Sequence, residues 1–146
     1  MKTGLPTHSY WIRMMALFAV AFGLLTIWEG GWTLAGEAQA VAAAGNYVPF
    51  VLWFNFLAGF AYVLAGAGLW WQQRWAATLS VVIAGATALA FAAFGAHLAS
   101  GAAFEQRTVI AMSLRLLAWT VIATITWRWL HGSGLQRSGP GPGIAR

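Results

Sequence analysis

The sequence predicts an all-α integral membrane protein, a four-helix bundle with both termini in the cytoplasm. Three observations predict it. Hydrophobic residues make up 60% of the chain and charged residues only 8%, with a mean hydropathy of +0.69. The apolar residues gather into four runs of roughly 20 residues or more, the length a helix needs to cross the hydrocarbon core. The basic residues sort by loop. A soluble domain of 146 residues cannot hide that much apolar surface, whereas a multi-span membrane protein leaves it in lipid.

The chain opens on a short polar lead, MKTGLPTHSY, with Lys2. The first span covers about 11–35. A basic start, an apolar centre and Ala38-Gln39-Ala40 also fit a secretory signal with its small-residue cleavage site. The run is long for a signal core, so the spanning reading is preferred. Residues 36–48 form a loop with room for a short interfacial helix, ended by Asn46 and Pro49. The second span is 49–71, with proline in the first turn, where its missing N–H costs little. Gln72-Gln73-Arg74 is a turn so short that the second and third spans must be antiparallel neighbours. The third span is 75–98 and the fourth 107–130, separated by ASGAAFEQ. Residues 1–131 thus form one transmembrane domain. Residues 132–146, rich in Gly, Pro and Ser, read as a flexible cytoplasmic tail.

Lys2, Arg13, Arg74, Arg128, Arg137 and Arg146 fall on one side of this scheme, and only Arg107 and Arg115 fall toward the other. The positive-inside rule then sets the orientation. Glu29, Glu37 and Glu105, the three acids of the chain, all fall toward the outer side. Trp11, Trp70, Trp71, Trp75, Trp127 and Trp129 make an inner aromatic belt, and Trp28, Trp32 and Trp53 an outer one. Ser80, Ala84, Ala88, Ala92 and Ala96 recur every fourth residue, a small-residue stripe expected to face a neighbouring helix. Asn55, Gly59, Tyr62 and Gly66 share one face of the second span and are expected to face inward as well.

Charged groups inside a span are costly and are therefore the first candidates for function. Glu29, Asn55 and Arg115 each lie roughly 9–12 Å inside the outer end of their helices at about 1.5 Å per residue. The simplest expectation is that Glu29 pairs with Arg115, with Asn55 alongside and Trp119 covering the guanidinium. His97 lies nearer the outer surface, and Glu105 and Arg107 lie around the loop before the fourth span. Two readings follow. The pair could lock helix register alone. Alternatively, Glu29, Asn55, His97 and Arg115 could line an outward-open pocket with Glu105 and Arg107 at its mouth. Snorkelling to the interface is easy for Arg107 and harder for Arg115.

Several chemistries are poorly served. Cysteine is absent, so no disulfide framework, thiolate metal site or cysteine nucleophile exists. His97, Glu29 and Glu105 could in principle bind a metal, but no ligand spacing supports it and none is assigned. His8 and His131 lie a membrane thickness from His97, which argues against a bis-histidine haem. A quinone or a lipid headgroup would suit an apolar pocket with few polar anchors, although no cofactor is required. The net charge of +5 reflects the loop bias, and nothing resembles a nucleic-acid module.

The stretches RMMALFAVAFGLLTIWEGGW, FLAGFAYVLAGAGLWWQQRWA and FAAFGAHL give a basic residue before a Gly-containing first span, a glycine-rich second span with a tight basic turn, and a histidine closing the third. In this order the chain resembles the DoxX-like group of small four-helix membrane proteins over roughly 11–130. That resemblance implies a multi-pass protein of the bacterial inner membrane associated with redox partners, including thiosulfate–quinone chemistry in some relatives. Such proteins often carry an acid in the second span where this chain has Ala61-Tyr62, so no catalytic residue is carried over. The expected function is an accessory or ligand-binding subunit of a redox-linked membrane assembly, partnered by another membrane protein or by copies of itself. The alternatives are an oligomeric small-solute transporter or channel subunit, and an enzyme acting on quinone or lipid with His97 as acid–base.

Overall fold

The computed structural model describes residues 7–101 and 103–132. The polar lead with Lys2, the tail with Arg137 and Arg146, and the side chains of His8 and His131 lie outside the described residues. The described chain is all-helical: α1 (Thr7–Leu34), α2 (Ala38–Ala44), α3 (Pro49–Trp70), α4 (Arg74–Ala99) and α5 (Gln106–Gly132). The four long helices each hold a segment of 22 to 26 residues that is long and apolar enough to cross a membrane. Only 22–28% of their most apolar windows is buried within the chain. Leu25, Leu64, Leu89 and Leu117 are among the large apolar side chains left exposed. Helices that are apolar all round yet mostly uncovered need lipid on their outer faces.

Local chemistry sets the helix ends. At the end of α1, the Gly36 N–H donates to Thr33 O at 3.1 Å and the Glu37 N–H to Trp32 O at 3.2 Å, with Gly36 at φ +77°. This paired arrangement caps the last carbonyls. Glu37 then turns to the next helix and accepts the Ala40 N–H at 2.7 Å, capping α2. The loop expected at 36–48 therefore contains its short helix. The same double bond pattern ends α3, with Gln72 donating to Leu69 O and Gln73 to Gly68 O. Here the residue with positive φ is Gln72, at +54°, an uncommon conformation for a side chain other than glycine. Arg74, expected in this turn, already begins α4. The buried hydroxyls of Thr26, Thr33, Ser80 and Thr126 bond back one turn, as Thr26 does to Phe22 O and Ser80 to Ala76 O, so these carry no unmet donor into the helix packing.

Packing runs in series: α1 lies along α3, α3 meets α4, and α4 lies along α5. The α1–α3 contact is the closest. A Cβ at Gly59 would sit 3.1 Å from Gly23 O, and one at Gly66 only 2.8 Å from Ala16 O. The inward face expected for α3 is observed in Gly59, Tyr62 and Gly66. The stripe expected on α4 is only half there. Ser80 is buried and Ala84 half-buried, but Ala88, Ala92 and Ala96 are exposed. The buried set is instead Ala76, Ala77, Ser80, Ile83, Thr87 and Phe94. An every-fourth-residue repeat drifts by about 40° per step on a 3.6-residue helix, so it leaves the contact face within three turns.

The main core joins Ile12, Ala16, Tyr62, Leu69, Ile83, Trp119 and their neighbours from all four long helices. A smaller cluster of Val48, Val51, Phe94 and Met112 fills the opposite end. Arg13 lies over the Trp70 ring at 5.6 Å at one end, while the three acids belong to the other, together with Arg107 and Arg115.

Gly59→Ala should lower stability by about 1–3 kcal/mol, because the added methyl forces the α1 and α3 backbones apart. Gly85→Ala, where an added Cβ meets nothing within 4 Å, should be neutral or slightly stabilising. Thermal unfolding of both variants in one detergent checks this, and equal losses would contradict the packing described.

Candidate functional site

The C-terminal half of α1, the N-terminal halves of α3 and α5, and α2 enclose a cavity of about 750 Å³. α1 packs along α3 and α5 along α4, and both α1 and α5 line the cavity at the end where α2 sits. On α1, Thr26, Glu29 and Thr33 follow one another at helical spacing and all line it. Asn55 enters from α3, Arg107 and Arg115 from α5, and Glu105 from the connection before α5. Five of the six residues singled out from sequence thus line one cavity. His97 does not: it is half-buried on α4 with its ring edge-on to Phe50 at 6.2 Å. The His97, Glu29 and Glu105 donor set is therefore not brought together, and among the described residues no group of three His or acidic side chains could hold a metal.

The expected Glu29–Arg115 ion pair is not formed. Among the described residues no carboxylate lies within 4.0 Å of the Arg115 guanidinium. Glu29 is exposed on the cavity wall and Arg115 is half-buried opposite. The guanidinium carbon sits 5.6 Å from the Phe22 ring centroid, a cation–π contact. Trp119, expected to cover the guanidinium, is fully buried and tilts against Tyr62 at 4.7 Å instead. Phe18, Phe22, Tyr62 and Trp119 make a continuous aromatic row from α1 through α3 to α5. Phe22 was not singled out from sequence. Its signal was present, because Phe22 precedes Glu29 by two helical turns on the same face of α1.

The other charges of the lining are committed to backbone. Glu105 Oε1 accepts the Asn46 N–H at 3.1 Å. Arg107 Nη1 donates to Ala43 O at 3.0 Å. Glu37 is held by its cap. These bonds tie α2 and its exit across the cavity mouth. Gly45 is required there: its φ is +61°, and a Cβ would meet Glu105 Oε1 at 2.5 Å. Deeper in, Asn55 Oδ1, Tyr62 OH, Thr87 Oγ1, Arg115 Nε and Trp119 Nε1 are buried with no hydrogen-bond partner. Asn55 and Arg115 also line the cavity, so its floor carries unmet polar capacity. Neither a family model, nor a curated protein, nor a solved structure matches this chain.

Glu105→Ala should release the Asn46 amide and raise hydrogen exchange across residues 43–46 by roughly fivefold, the equivalent of one net hydrogen bond of about 1 kcal/mol. The melting temperature should hardly move, because the bond is peripheral to both cores. Unchanged exchange at Asn46 would show that Glu105 does not hold the mouth.

Proposed function

We propose that this chain is a multi-pass protein of the bacterial inner membrane, a four-helix bundle with both termini in the cytoplasm, that serves as a ligand-binding accessory subunit of a membrane assembly. The observation that carries this reading is the cavity. Polar and charged groups from α1, α3 and α5 converge on it at one end of the long helices. Its size falls in the range of small-molecule sites, roughly 300–1,000 Å³. Ionisable groups within membrane-spanning segments that face a cavity are functional-site candidates by default.

The orientation rests on the basic end of the helices. Arg13, Arg74 and Arg128 lie there, and the acids lie at the other end. The likeness to DoxX-like proteins supports a redox-linked assembly. The long apolar helices and small extramembrane mass favour work through neighbours within the bilayer.

The chain has no cysteine, so single introduced cysteines report topology cleanly. On intact cells of a bacterial host, an impermeant maleimide should label Ser100→Cys and should label Gln73→Cys only after lysis. The reverse pattern would overturn the orientation. Native mass spectrometry after mild extraction from the host's own membrane should give a mass above the bare 15.7 kDa chain, by a small ligand or a partner. A bare chain under every mild extraction would count against the binding role.

A further inference from the structure

The proposal that follows rests on the cavity being a binding site, and it names the ligand. Among the described residues, the cavity holds two charges, one of each sign, that make no ion pair or side-chain hydrogen bond within the protein, Arg115 having only its cation–π contact with Phe22. Glu37, Glu105 and Arg107 are bound to backbone groups. Glu29 and Arg115 are not, and they face the same space from α1 and α5. No ion pair within 4.0 Å joins them.

Each wall offers more than a charge. Beside Glu29 stand Trp28 and Trp32, edge to face with centroids 5.6 Å apart, and both line the cavity. Indole faces next to a carboxylate suit an ammonium group, through cation–π attraction and direct pairing. Opposite, the buried Arg115 Nε has no acceptor, and the Asn55 amide adjoins the same floor. A guanidinium fork with a neighbouring amide suits a phosphate or carboxylate. One wall therefore selects a cation, the other an anion, and the space between them is a single cavity.

We infer that the site binds a zwitterion, a molecule whose ammonium sits against Glu29 and the Trp28–Trp32 wall while its phosphate or carboxylate meets Arg115 and Asn55. The ligand completes the ion pair that the protein leaves open. A ligand of one sign would satisfy one wall and leave the opposing charge without a partner. The same chemistry is found in an aminophospholipid headgroup and in a free zwitterionic solute.

The test uses the full chain in nanodiscs of phosphatidylglycerol, with calorimetric titration of three soluble probes: glycerophosphoethanolamine, inorganic phosphate and ethanolamine. The zwitterion should bind at least about tenfold tighter than either half, the value of one charge-assisted bond. Glu29→Gln should weaken the zwitterion by about tenfold and leave phosphate unchanged. Arg115→Gln should weaken both. Trp32→Leu, at an exposed position that cannot disturb the core, should weaken the zwitterion and ethanolamine but not phosphate. Phosphate binding as tight as the zwitterion and indifferent to Glu29→Gln and Trp32→Leu would overturn the proposal while leaving an anion-binding cavity in place. A parallel arm adds phosphatidylethanolamine to the nanodiscs and reads retained lipid by native mass spectrometry. Selective retention lost in Glu29→Gln identifies the lipid headgroup as the source; binding of the soluble probe with no retained lipid identifies a free solute. Neither retained lipid nor probe binding overturns the zwitterion. The binding role itself is judged separately, on what co-purifies from the host membrane.

Discussion

The rest of the structure depends on how closely α1 approaches α3. Within lipid no hydrophobic force draws two helices together, so association relies on packing and close backbone contact. Gly23, Gly59 and Gly66 allow that contact, with a Cβ at any of them meeting a facing backbone oxygen at 2.8–3.1 Å. Because α1 sits so close, Phe22 reaches Tyr62 and stacks on it, and Tyr62 in turn meets Trp119 on α5. The first and last helices are thus linked through an aromatic row more than through each other. Below that row the helices share the main core. Above it, α1 and α5 diverge, and the cavity fills the divergence.

The connection between α1 and α3 covers what the divergence opens. Its helix has seven residues and buries none of them, so hydrophobic packing does not hold it. Three charged side chains do, each through a backbone group: Glu37 at the first turn, Arg107 at the Ala43 carbonyl and Glu105 at the Asn46 amide. Such bonds contribute about 0.5–1.5 kcal/mol each, enough to position a short element and little enough to let it move. Helix ends near a membrane surface need partners for their free N–H and C=O groups. The charges at this end supply them and are therefore not available to each other.

The helices were legible because lipid imposes a simple rule: every crossing segment must be long, apolar and internally hydrogen-bonded. Pro49 and the Gln72–Gln73 turn marked boundaries that the structure keeps within a residue or two. The gathering of Glu29, Asn55 and Arg115 was legible from helical rise, since equal depth is a one-dimensional property. Rotation about the helix axis was less so. The Ser80–Ala84–Ala88 stripe looked continuous on a four-residue count but turns away from α3 and α5 at true helical pitch. His97 was expected nearer the surface but in the same pocket, yet it belongs to a face of α4 that looks toward Phe50. Pairings across helices were the least legible. Phe22 takes the place over Arg115 that was expected of Trp119, because Trp119 packs against Tyr62 instead, and no local spacing encodes that.

The separation of Glu29 from Arg115 and the existence of the cavity are one feature. Unit charges 4 Å apart attract by about 4 kcal/mol at an effective dielectric constant near 20, so closing the pair looks favourable. Closing it would desolvate both charges, a cost that commonly cancels the Coulomb gain. The Phe22 ring meanwhile offers Arg115 roughly 0.5–2 kcal/mol where it stands. The open arrangement thus holds its own against the closed one. A third partner that supplies both missing charges shifts the balance further, because it satisfies Glu29 and Arg115 with α1, α2 and α5 left where they stand.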